Sequence, residues 1–122
     1  MILDELHYAT AEEIEPNIVE VIANKGAEIT LEDIELLEKG FLEKFTGPYA
    51  ELVNRMNSYS HTHESLEKAC NLKNCIAVAI LVQSKLSFHA AKIHEIFAGK
   101  IQVFVNRDEA LTWLRASLKQ RI

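Results

Sequence analysis

The sequence is poor in the features that usually announce a function. Among 122 residues there are two cysteines, Cys70 and Cys75. They are too few for a disulfide framework, so a cytoplasmic chain with reduced thiols is expected. The four glycines, Gly26, Gly40, Gly47 and Gly99, stand singly. No phosphate-cradling loop can be built from them, and no nucleotide site is expected. A Gly-x-Ser-x-Gly nucleophile elbow is also missing. No apolar run approaches the roughly 18–20 residues of a membrane helix. The opening Met1-Ile2-Leu3-Asp4-Glu5 is acidic where a signal peptide would be basic. Basic excess is lacking too. Lys and Arg number 13 against 18 Asp and Glu, net −5, which argues against a nucleic-acid partner. Internal repeats and low-complexity stretches are absent from the sequence.

What is present is ordinary for a folded protein. Apolar residues make up 48% and charged residues 25%. A chain of this length buries about two thirds of its unfolded surface and needs no staples. One domain spanning residues 1–122 is expected. Charge is uneven: residues 1–45 hold twelve acids and three bases, residues 46–122 six acids and ten bases. Two partner surfaces, or an acidic solvated helix with bases scattered elsewhere, would both give that distribution.

Periodicity supplies the elements. Residues 5–14 read as an edge strand with Leu6 and Tyr8 on one face, and Glu15-Pro16-Asn17 as a turn. The β-branched Ile18–Ile22 reads as a buried strand, followed by a break at Asn24-Lys25-Gly26. Thr30 with Asp33 forms a capping-box pattern, and Leu31, Ile34, Leu37, Phe41 and Phe45 recur at helical spacing. Gly47-Pro48 stops that helix, and Tyr49–Asn54 is a short apolar run of strand type. A hydroxyl-rich loop, Asn57–Ser65, leads into a helix carrying Leu66, Ala69 and Cys70 inward. Cys75–Val82 is continuously apolar, as a parallel strand covered on both faces requires. Ser84 caps a helix whose stripe is Leu86, Ala90, Ile93 and Phe97, closed by Gly99. Ile101–Val105 is a strand, and Asn106 caps a last helix burying Ala110, Leu111, Leu114 and Leu118. The order β-β-α-β-α-β-α-β-α implies an α/β sandwich. Its five-stranded sheet is mixed but mostly parallel, with four helices and right-handed crossovers.

Constellations that carry chemistry are thin. His61 and His63 would face one side of an extended segment and could hold a metal with Cys70 and Cys75; the alternative is loop histidines and core thiols. Glu32, Glu35, Glu38 and Glu43 read as a solvated helix face. Ser58, Ser60, His61 and Thr62 precede a helix, where a phosphoserine would meet free amides and a favourable dipole. Capping by Ser60 or Thr62 is the simpler use of the same hydroxyls. No catalytic residue, metal or cofactor is assigned, and a non-enzymatic chain is expected.

The ending Val103-Phe104-Val105-Asn106-Arg107-Asp108-Glu109-Ala110-Leu111-Thr112-Trp113-Leu114 resembles the terminal strand and helix of SpoIIAA-like, STAS-type proteins. Ala79–Leu86 is similar to their central strand and following helix start, and the element order fits over nearly the whole chain. The resemblance implies a STAS-like sandwich acting as a regulatory, protein-binding domain of the anti-sigma factor antagonist type. The implied partner is an anti-sigma factor or kinase-like regulator. Those antagonists are switched by phosphorylation of a serine in an Asp-Ser-x-Gly pattern. The corresponding Asn57-Ser58-Tyr59-Ser60 has neither the Asp nor the Gly, so Ser58 and Ser60 carry over by position alone. A divergent branch is similar to SEC14-type lipid carriers, which implies an apolar ligand; Phe88, Ile93, Phe97 and Trp113 are the pocket candidates here. An exposed opening hairpin edge would allow a homodimer.

Overall fold

A computed structural model describes residues 6–84 and 100–120. The chain opens with an antiparallel hairpin, β1 (Ala9–Glu15) against β2 (Ile18–Ala23). Its turn places Asn17 in the left-handed region at φ 66°, and the Asn17 N–H donates to the Glu13 carboxylate at 3.0 Å. Asparagine tolerates that conformation better than most residues. The pairing register shifts between Glu13 and Glu15, at the turn end of the hairpin. Tyr8 lies just before the strand and is buried, its hydroxyl donating to the Asp33 carbonyl at 3.3 Å.

Helix α1 (Leu31–Lys44) begins with the capping box read from the sequence. The Asp33 N–H donates to Thr30 Oγ1 at 3.3 Å, and the Thr30 N–H donates to Asp33 Oδ2 at 3.0 Å. Its stripe Ile34, Leu37 and Phe41 is buried, as is Phe45 just beyond it. Strand β4 (Tyr49–Asn54) follows, then helix α2 (His63–Ala69), β6 (Cys75–Leu81), β7 (Ile101–Phe104) and helix α3 (Arg107–Lys119). Two further strands are only two residues long: β3 (Glu28–Ile29) pairs in parallel with β5 (Ser60–His61). No pattern that short is visible in a sequence, because the pairing joins segments more than thirty residues apart.

The main sheet runs β1-β2-β4-β6-β7, with every pair parallel except the opening hairpin. This is the mixed, mostly parallel α/β arrangement expected. Three helices stand among the described residues; the one expected after Ser84, through Phe97, falls on residues outside them. One sheet face carries Val19, Val21, Tyr49, Val78 and Ile80 and shares a core cluster with Ile34, Leu37 and Phe41 of α1. The other carries Ile18, Ala50, Leu52, Ala77 and Ala79 and packs against Ala110, Leu111 and Leu114 of α3. No helix among the described residues is long and apolar enough to cross a membrane.

The uneven charge resolves into contacts between the two halves. Arg107 forks onto Glu20 at 2.7 and 2.9 Å, Arg115 onto Glu15, and Lys68 meets Glu38 at 3.1 Å. Glu38 therefore departs from the solvated face expected for the α1 acids. It also accepts the Lys73 N–H at 2.8 Å and ties α1 to the chain around α2. Its companions Glu32, Glu35 and Glu43 are exposed.

Candidate functional site

The hydroxyl-rich segment leaves the carboxyl end of β4, the central strand. Its backbone is fastened on both sides. Asn57 Nδ2 donates to the Ala23 carbonyl at 2.9 Å, and the Gly26 N–H donates to the Ser58 carbonyl at 2.7 Å. The Ser60 and Thr62 N–H groups donate to Ala27 and Ile29 at 2.9 and 3.0 Å. Gly26 sits at φ +79°, a conformation that any side chain would strain.

Extended backbone alternates side chains. Ser58 and Ser60 therefore point outward and are exposed, while Tyr59 and His61 turn inward. Thr62 is occupied, its Oγ1 accepting the Ser65 N–H at 3.2 Å as the cap of α2. Of the two sequence readings of these hydroxyls, capping holds for Thr62, and Ser60 lies in β5 instead. Ser65 was not singled out by the sequence. It is fully buried, and its Oγ lies 2.8 Å from the Ile29 carbonyl, 2.9 Å from the Thr62 carbonyl and 2.9 Å from His61 Nδ1. A hydroxyl that donates to a carbonyl can accept from the imidazole, so the Nδ1-protonated tautomer of His61 completes this set. Ser65 is thus a structural hub rather than an accessible nucleophile.

The two histidines diverge. His63 Nε2 lies 3.3 Å from Glu67 on the exposed side of α2, whereas His61 faces Ser65. Cys75 is buried and Cys70 half-buried; neither is in a disulfide. Burial pushes the Cys75 thiol up to about 12 and raises that of Cys70. Among the described residues no group of three or more His, Cys, Asp or Glu could hold a metal.

Beneath the segment lies a cavity of about 80 Å³ between the sheet and the two helices α1 and α2. Val21, Ile34, Leu37, Val53, Val78 and Ile80 supply apolar walls, and Arg55, Tyr59, His61 and Cys70 line it as well. The Arg55 guanidinium rests 4.8 Å above the Tyr59 ring. Into this cavity projects Glu51, only 4% exposed. In the sheet it stands between Val19 on β2 and Val78 on β6. Desolvation pushes its carboxyl up to about 7, against a smaller downward pull from Lys100. Lys100 itself donates to the Cys75 carbonyl at 2.8 Å. Glu51 makes no side-chain hydrogen bond or ion pair with any described residue. Tyr49–Asn54 reads as an apolar run from sequence, and the one acid inside it, flanked by Tyr49 and Val53 on the same face, is the signal that marks this site.

Of the sequence-derived pocket candidates, Phe88, Ile93 and Phe97 lie outside the described residues. Trp113 packs on Phe104, ring centroids 5.7 Å apart, in the α3 layer across the sheet from the cavity.

No protein-family model matches the chain, and no curated protein does. Among solved structures the chain is similar to an uncharacterized protein from the DUF3478 family with a SpoIIAA-like fold, from Shewanella loihica PV-4. The two are 19% identical, with a TM-score of 0.60 over 87% of this chain and 91% of that one. The likeness shows a SpoIIAA-like fold.

Proposed function

We propose that this SpoIIAA-like domain is a non-enzymatic cytoplasmic regulatory module that binds a protein partner through the loop and helix around residues 57–66. One observation carries the reading. Ser58 and Ser60 are both exposed on a backbone pinned to the β2–β3 connection and to β3. A rigid scaffold presenting polar side chains at the carboxyl end of a parallel sheet is where such folds place recognition. Met56, 53% exposed, adds an apolar contact beside them. By analogy with SpoIIAA-like proteins, the partner is an anti-sigma factor or kinase-like regulator, and added negative charge on the serines would weaken docking.

The test uses immobilised wild type and the Ser58→Glu, Ser60→Glu double variant in host lysate, followed by a binding isotherm for any protein recovered. A partner held by wild type and released by the variant supports the reading. Identical or empty captures contradict it.

A second reading, a carrier of a small apolar ligand, is favoured by the cavity above Val78 and Ile80. Native mass spectrometry that finds added mass on the purified chain supports it, and a bare chain from several expression conditions contradicts it.

A further inference from the structure

We propose that the cavity between the sheet and helices α1 and α2 binds a small apolar amine, whose ammonium group pairs with Glu51. The inference rests on the carrier reading and names its ligand class.

Three observations carry it. First, Glu51 sits in the row of apolar side chains on the central strand, between Val19 and Val78, where a sheet normally buries valine or isoleucine. A buried carboxyl that no described residue hydrogen-bonds is costly in either protonation state: the anion wants donors, and the neutral acid wants an acceptor for its O–H. Second, the described cation whose charge reaches it, Lys100, and the Arg55 that lines the same cavity are each held by another group. Lys100 bonds the Cys75 carbonyl, and Arg55 rests on Tyr59. Third, the carboxyl lines a space rather than being packed over, and the remaining walls are mostly aliphatic.

The ligand chemistry follows. A carboxylate accepts hydrogen bonds only, so the occupant must donate, and a cationic donor forms the stronger bond in an apolar surrounding. An anionic ligand would meet like charge. The alkyl part must satisfy the walls contributed by Val21, Ile34, Val53 and Ile80. A volume of about 80 Å³ is roughly half that of an engineered cavity that takes benzene. It suits an amine of about four non-hydrogen atoms.

The probe is n-propylamine, with 1-propanol as its uncharged counterpart, each titrated into the full chain at pH 8 and followed through methyl NMR signals. Saturable shifts at Val53, Val78 and Ile80 are expected with the amine. Binding should be at least tenfold weaker for 1-propanol on wild type, and at least tenfold weaker for the amine on Glu51→Gln. The alcohol comparison needs no variant and stands even if the substitution alters folding. Equal binding of amine and alcohol overturns the ammonium pairing while leaving a carrier in place. Absence of saturable binding by either overturns both, and unchanged amine binding to a folded Glu51→Gln overturns the pairing.

Discussion

Two buried hydroxyls show how differently the same group can behave. Ser65 has its partners at 2.8–2.9 Å, and removing its oxygen takes one of two donors from the Ile29 carbonyl and the hydroxyl contact from His61 Nδ1. Ser65→Ala should therefore lower stability by about 1–3 kcal/mol in urea unfolding. The Tyr49 hydroxyl, by contrast, is buried without a partner among the described residues, although its ring stacks on Phe45 at 5.0 Å and meets Phe41 edge-on at 5.2 Å. Tyr49→Phe keeps both ring contacts and removes the orphan donor. It should raise stability by about 1 kcal/mol in the same assay. Neither role is legible in the sequence. Serine and tyrosine identities do not reveal burial, and the partners of Ser65 include a carbonyl on a distant two-residue strand.

At the scale of elements, local signals were the readable ones. The Thr30–Asp33 box, the Ile34–Phe41 stripe and the Asn106 cap depend on residues within one or two turns of each other, so each is present in the chain before any tertiary contact forms. The β3–β5 pair and the links from α3 back to the hairpin depend on distant segments meeting, and sequence spacing is silent about them. Arg107 is one such link. It supplies the largest downward pull on the Glu20 carboxyl, which Asn54 also bonds at 2.9 Å. With Arg107 nearly half exposed, solvent screens the pair. Arg107→Ala should thus cost under about 1 kcal/mol, and the loss should shrink as salt is raised, as measured by unfolding at two ionic strengths.

For the molecule as a whole, the fold was legible and the site was not. An unbroken apolar strand flanked by amphipathic helices specifies the sandwich, whereas the cavity arises from how α1 and α2 meet the sheet, and its acid hides inside an apolar run. That acid shapes the response of the whole protein to pH. An unfolded glutamate ionises near 4.5 and the folded Glu51 near 7. Between those values the folded chain holds the extra proton, so raising the pH favours unfolding, with the full penalty present above pH 7. Glu51→Gln removes that dependence. It should be the more stable protein at pH 8 by about 1–3 kcal/mol, with the advantage fading toward pH 5. Glu13, Glu15, Glu20 and Glu38 act oppositely. Their carboxyls are held below the ordinary range, chiefly by hydrogen bonds, and their contribution is lost as the pH falls below about 4.5. The most direct measurement of the buried carboxyl is a carbon-13 NMR titration of the Glu51 side chain in the ligand-free protein. A midpoint near 7 is expected; an ordinary midpoint near 4.5 would mean that the carboxyl is solvated or already paired, contradicting the account.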